Sequence, residues 1–372
     1  MPGSPAGSDA LGDAARTLAE AYRRFGEVDA AGTSPLYERV ALALGESDEA
    51  LRAIGTAPAR RRHPTVVLAA LHDLALAGRA PALAAAYASG DGDAAARAAV
   101  DTLLRLTHMV VALAGRRPPR PDETGHGAVL YPSIAEAAHR AGASAVGLID
   151  VGCSAGLDLS VDRVGITYSN GQSLGDPSSP VQLASSIVGD RPVPPRAIPE
   201  VVARIGLDRD PLDVTDDDDA RWLRACVWPD RPEQAVRLEA EIALAAADPP
   251  LLLPGDVLEE LPRAFAHVPA DALPVVTTAW ALPRLSLEAR LRFLHRLDAA
   301  AAGRPVAWVS AEGVGVAPAI PTLGDRRASG HSILGLALFH GSTLHVEAVG
   351  RCWSRGRTLA WSAGSSAPAV RF

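Results

Sequence analysis

The apolar positions of this chain change period near residue 143. Before that point they recur at helical spacing. Leu36, Val40, Leu42 and Leu44 form one stripe, Val66, Val67, Leu68, Leu71 and Leu74 a second, and Leu103, Leu104, Leu106, Val110, Val111 and Leu113 a third. Ser34-Pro35 offers an N-cap followed by proline at the first helical position, and Pro64 opens the second stripe. The pattern predicts a mostly helical region over 13–142, behind a disordered Pro/Gly/Ser-rich start at 1–12. A polar, proline-rich link over 116–127 leads to a last helix near Tyr131–Ala141.

From residue 143 onward, short apolar runs alternate with helical stretches. Strands are predicted at Val146–Val151, Val201–Leu207, Leu251–Leu253, Leu273–Trp280 and Pro305–Ser310. Helices are expected at Arg221–Val227, Pro232–Ala247, Val257–Leu261 and Ser286–Ala301. Ile333–Phe339 and Thr343–Val349 read as a terminal hairpin. Strand-helix alternation closed by an antiparallel pair is α/β order, with a mostly parallel sheet over 143–372. Residues 165–199 interrupt it with a hairpin-like run at Gly165–Gly171 and six prolines between Pro177 and Pro199. They read as an insertion, either a wall for a substrate or a surface embellishment.

Chemistry concentrates at residues 146–160. An apolar run ending in Asp150, spaced small residues and a renewed apolar pattern read as a buried strand, a tight turn and a helix start. Gly152 and Gly156 let the backbone turn sharply, and the N-terminus of a following helix would offer N–H groups to a ligand. Three readings compete. A dinucleotide fingerprint would need glycine where Ser154 and Leu157 stand. Gly152-Cys153-Ser154-Ala155-Gly156 also fits a hydrolase elbow with Ser154 as nucleophile and His331 or His345 as the base, although no His-Gly-Gly run lies upstream.

Third, Asp150-x-Gly152-x-Ser154-x-Gly156 resembles the first motif of class I S-adenosylmethionine-dependent methyltransferases. That resemblance implies a Rossmann-like sheet, with the glycine turn under the methionine part of the cofactor. It also implies a ribose-binding acid at Asp208 and an adenine-binding acid at Asp256, beside Val257. A second acid usually follows such glycines by about 20 residues, so the position of Asp208 itself calls for the insertion. At the end of the fourth strand, where amine-specific members carry an acid or asparagine followed by Pro-Pro-aromatic, this chain has Thr278-Ala279-Trp280-Ala281-Leu282-Pro283. Thr278, Trp280 and Arg163 are the candidate substrate contacts, Trp280 through its ring face. Arg163, Arg204 and Arg224 read either as anion holders or as ion pairs, and Asp122-Glu123-Thr124 either as a lid or as a plain loop.

Over about 60–365 the chain resembles an actinobacterial family of unknown function with a methyltransferase-like fold. The likeness rests on Asp150-Val-Gly-Cys-Ser-Ala-Gly-Leu-Asp-Leu, Asp162-Arg163, Arg204-Ile-Gly-Leu-Asp208, Pro211-Leu-Asp213 and Trp222-Leu-Arg-Ala-Cys-Val-Trp-Pro229.

Composition narrows the field. Net charge is −7 with the acids spread along the chain, so neither nucleic acid nor an anionic membrane is an expected partner. All 36 basic residues are arginine, which excludes a P-loop lysine, a Schiff base and a lysine general base. Three distant cysteines suit a reducing cytoplasm, the ten histidines form no H-E-x-x-H, and no metal site is expected. Without a secretory signal or an 18-residue apolar run, a cytoplasmic protein is expected. The reading is S-adenosylmethionine-dependent methyl transfer to a small molecule. The alternatives are a non-catalytic binding or scaffold protein of the same fold and a serine hydrolase.

Overall fold

The computed structural model describes residues 16–118 and 125–362, with 370–371 as backbone. The expected disordered start at 1–12 and the Asp122-Glu123-Thr124 segment lie outside them. The chain divides into two compact units, Met1–Asp122 with Asp217–Glu239, and Glu123–Asp216 with Ala240–Phe372.

The first unit is helical. It contains α1 (residues 16–24, running into a π-helical turn at Phe25–Ala30), α2 (Pro35–Glu46), α3 (Asp48–Gly55), α4 (Pro64–Leu76), α5 (Pro81–Ser89), α6 (Gly92–Arg105) and α7 (Thr107–Arg116). Ser34 caps α2 by accepting from the Tyr37 N–H, and its own hydroxyl donates to Asp230 at 2.6 Å. Apolar almost all round, α4 is buried accordingly. Against it lies α9 (Asp217–Cys226), whose Arg221 meets the buried Asp73 at 3.1 Å. His72, inside the α4 stripe, is an interior histidine. Burial pushes it down to about 4, although the Ala225 carbonyl beside Nδ1 favours its charged form. α10 (Pro232–Ala247) carries the chain from this unit into the next.

The second unit is a mixed sheet. Its strands are β1 (Ala145–Val151), β2 (Gly165–Tyr168), β3 (Ser173–Gly175), β4 (Gln182–Ile187), β5 (Glu200–Asp208), β6 (Leu251–Pro254), β7 (Leu273–Ala279), β8 (Val306–Gly313), β9 (Ser332–His340), β10 (Thr343–Trp353), β11 (Thr358–Trp361) and β12 (Val370–Arg371). Eleven of them follow the order β3-β2-β4-β11-β10-β9-β8-β7-β1-β5-β6, and β12 pairs with β10. The stretch β6-β5-β1-β7-β8 is wholly parallel. β9 runs antiparallel to β8 and turns through the two-residue loop Gly341-Ser342 into β10. β1 reads as a continuous apolar run because helices cover both of its faces.

One face is covered by α8 (Gly127–Ala141), whose Val129, Leu130, Ile134 and Ala138 pack on Leu148, Val275, Val309 and Leu336. The other is covered by α11 (Val257–Ala266) and α12 (Leu287–Ala300), where Leu261, Phe265, Phe293 and Leu297 meet Ile149, Leu207, Val276 and Trp308.

The inserted residues are part of this sheet. β2 and β3 form the expected hairpin, and β4 pairs in parallel with both β2 and β11, so the segment extends the sheet at the edge far from β5. It also completes α8. Pro132 inside that helix has no N–H to give the Ala128 carbonyl, and the Tyr168 hydroxyl donates to that carbonyl instead, at 2.7 Å. Among the described residues no single helix is long and apolar enough to cross a membrane.

Candidate functional site

From β1 the chain goes to β5 and β6 on one side and to β7 and β8 on the other, so the strand order reverses between β1 and β7. In such sheets the crevice outside the carboxyl ends at that switch point is where ligands bind. Gly152, Ser154 and Gly156 fill the turn at the end of β1 with φ of 76°, 54° and 72°. The Gly152 and Cys153 N–H groups donate to the Leu207 carbonyl at 2.7 and 3.2 Å, and the Gly156 N–H donates to the Cys153 carbonyl. Ser154 N–H donates to Asp208 Oδ2 at 3.1 Å, while the Asp210 N–H takes Oδ1 at 3.0 Å. Asp208, 7% exposed, thus ties the glycine turn to the end of β5. A Cβ at Gly152 would approach the Ala281 methyl to 2.9 Å, and one at Gly156 would meet Pro250 at 2.9 Å, so protein packing already demands both glycines.

The helix expected after this turn does not form. Leu157–Arg163 is a 3-10 segment interrupted at Ser160, too short and irregular to present an N-terminal anion site. A side chain takes the place of helical bonding there. The Arg204 guanidinium donates to the Leu159 carbonyl and grips Asp162 at 2.7 and 2.8 Å.

Several other expected residues are engaged within the fold. Asp150 is buried and accepts from the Thr277 hydroxyl across β1 and β7 at 2.7 Å. Asp256 caps α11 by accepting from the Leu258 N–H at 2.9 Å and remains exposed, with Val257 as the first helical residue. Because the Gly255 N–H donates to the Asp208 carbonyl at 3.0 Å, Asp256 stands beside the end of β5. Thr278 is wholly buried and accepts from the Trp308 indole. Arg163 pairs with Asp248 and Arg224 with Glu239, which leaves both as ion-pair partners.

Trp280 stands just past β7 at φ 53°, strained for an aromatic residue. Its N–H donates to the Ala311 carbonyl, its indole donates to Ser332 Oγ at 2.8 Å, and the Arg355 guanidinium lies 5.9 Å from the ring. The His126 ring is 4.8 Å away, and Asp158 Oδ2 is 2.9 Å from His126 Nδ1. Behind Trp280, Glu312 at the end of β8 is 1% exposed, and its Oε1 accepts from the N–H groups of Ala281 and Leu282 at 3.0 and 3.1 Å. Burial pushes its carboxyl up to about 7, against the opposing pull of those two N–H groups and of Arg290 and Arg284.

His126 and Glu312 were not candidates in the sequence, and Asp158 stood there only within the run Asp150–Leu159 that carries the family likeness. An acid closing an apolar strand, as in Ala311-Glu312-Gly313, was the available signal for Glu312; the His126–Asp158 pairing has none. Ser154 Oγ is buried without a hydrogen-bond partner among the described residues. His331 is held by Asp325 at 2.9 Å, and His345 is exposed on β10.

Two hollows adjoin these strands. A cavity of about 20 Å3 beside Gly125, Asp158 and Ser160 has room for about one water. A groove of about 290 Å3 along Val202, Arg204, Asp248 and His267 lies toward the opposite end of the same strands.

A family model matches residues 19–361, spanning the helices, the glycine turn and the strands through β11. The chain belongs to that family. It is described as "Uncharacterized protein conserved in bacteria (DUF2332)". Membership covers both units and carries no assigned reaction. No curated protein matches the chain.

Proposed function

We propose that this DUF2332 member binds S-adenosylmethionine at the carboxyl end of β1 and transfers its methyl group to a small molecule. The observation that carries the reading is the left-handed glycine turn at the switch point between β1 and β7. A dinucleotide fits less well. Its pyrophosphate needs spare N–H donors, whereas those of Gly152, Cys153, Ser154 and Gly156 are already given to protein acceptors. The adenosyl cofactor carries no phosphate, so contact with the turn suffices.

Asp256 suits the adenine amino group, since it is exposed and one of its oxygens is outside the cap bond. Asp208 suits the ribose less well, with both oxygens already accepting N–H bonds. Its main contribution would be to hold the turn. Bound, the cofactor supplies an electrophilic methyl group; the protein's part is to position it against the acceptor near Trp280 and His126.

Calorimetric titration with S-adenosylmethionine and S-adenosylhomocysteine, with NAD as the control, tests this. Saturable binding of the first two, about tenfold weaker in Asp256→Ser, is expected, because serine keeps the helix cap but removes the charged acceptor. A folded protein that binds neither compound refutes the proposal. Binding without transfer to any acceptor leaves the non-catalytic alternative standing. A serine hydrolase is favoured by one observation, the strained φ of Ser154 in its elbow. Hydrolysis of 4-nitrophenyl acetate that Ser154→Ala abolishes would establish it.

A further inference from the structure

We infer that Glu312 is a positioning residue whose proton state sets the conformation of the Trp280–Leu282 segment that walls the crevice. One carboxylate oxygen holds two successive N–H groups, those of Ala281 and Leu282, at 3.0 and 3.1 Å. The preceding residue is the strained Trp280, tied back to the Ala311 carbonyl of the same strand that carries Glu312. The following contact is the Ala281 methyl, standing where any side chain on Gly152 would have to go. Glu312 therefore fixes the backbone directly after Trp280, together with the Ala281 methyl that packs against the glycine turn. Strain of this kind persists only where the surroundings over-determine it.

The other oxygen, Oε2, is buried with no hydrogen-bond partner among the described residues. Ionised, Glu312 makes two charge-assisted bonds to the segment. Protonated, it keeps two weaker bonds and gains an O–H that has no acceptor at its present position, so the segment shifts to supply one. The charged groups facing the carboxyl are Arg284 in the 3-10 turn Leu282–Arg284 and Arg290 on α12. Arg290 is itself committed to the carbonyls of Leu282, Leu285 and Val316. On β9 the register partner is the apolar Ile333. Their positive charge favours the ionised form, burial opposes it more strongly, and the balance lies in the neutral range.

The inference goes beyond the cofactor reading and does not need it, because the test uses the protein without ligand. Trp280 emission, taken as wild type minus Trp280→Phe, is followed from acid to alkaline pH. A single titration near neutrality is expected, absent in Glu312→Gln and retained in His126→Gln. Titration that persists in Glu312→Gln overturns the inference, and if it is also lost in His126→Gln the effect belongs to that histidine. Infrared spectroscopy of the wild type alone covers failure of the glutamine variant to fold. A protonated-carboxyl band that survives to neutral pH supports the inference; its loss wholly within the ordinary carboxylate range overturns it.

Discussion

Replacing Glu312 by glutamine changes how stability depends on pH, and the sign follows from the site. Burial raises this carboxyl from 4.5 to about 7. Between those values the unfolded chain has released the proton while the folded chain keeps it. Folding is therefore helped below 4.5, and the help disappears as pH rises through 7. The full span is worth about 3 kcal/mol, from about 1.4 kcal/mol for each factor of ten in proton affinity. Glutamine keeps an acceptor for the Ala281 and Leu282 N–H groups and cannot ionise. Its own unpaired amide adds an offset that does not vary with pH. Urea unfolding of both proteins from about pH 5 to about pH 8.5 gives the difference directly, and the subtraction cancels every other titrating group. The variant should gain about 2–3 kcal/mol on the wild type across that range. A difference that stays flat, or that moves against glutamine as pH rises, refutes the account of a buried, destabilised carboxylate.

Other outcomes follow from the same geometry. Tyr168→Phe leaves the Ala128 carbonyl, already deprived of a helical donor by Pro132, without its bond, and should cost about 1–3 kcal/mol in chemical unfolding. Arg204→Ala strands Asp162 and frees the Leu159 carbonyl, at a cost of about 3–5 kcal/mol, whereas Arg204→Met with Asp162→Leu should recover most of the loss. For His72, lowered to about 4, the sign is opposite to that of Glu312. Its neutral form is favoured in the folded unit, so stability present above 6.5 is lost as pH falls toward 4. His72→Phe should flatten that acid limb in thermal unfolding followed by fluorescence in a protein retaining only Trp222 and Trp228.

Much of the architecture was legible because secondary structure is written locally. The helical period through Leu113 and the strand-length runs after residue 143 each report which side of a segment is buried, and α2, α4, β1, β5, β6, β7 and β8 lie where those patterns stand. Ser34 was recognisable as a cap because a cap acts within three residues of itself. The glycines at 152 and 156 likewise announced a left-handed turn, since they mark backbone that other residues resist.

What decided the character of the site lies far apart in sequence. Gly156 was expected to open a helix, but Arg204, over 40 residues on, satisfies that segment's carbonyl and its Asp162, and a 3-10 segment results. The inserted strands went to the sheet's far edge because β11 offered a partner there. Asp208 and Ser154, His126 and Asp158, and Glu312 and the N–H groups after Trp280 meet across separations of 54, 32 and 30 to 31 residues. The chain's own pattern determined which segments are helix or strand and where the turn must bend, because those choices depend on near neighbours. Tertiary structure alone decided which polar groups that turn would spend within the protein and which acid would be buried behind its wall, because only chain closure brings such partners within hydrogen-bond reach.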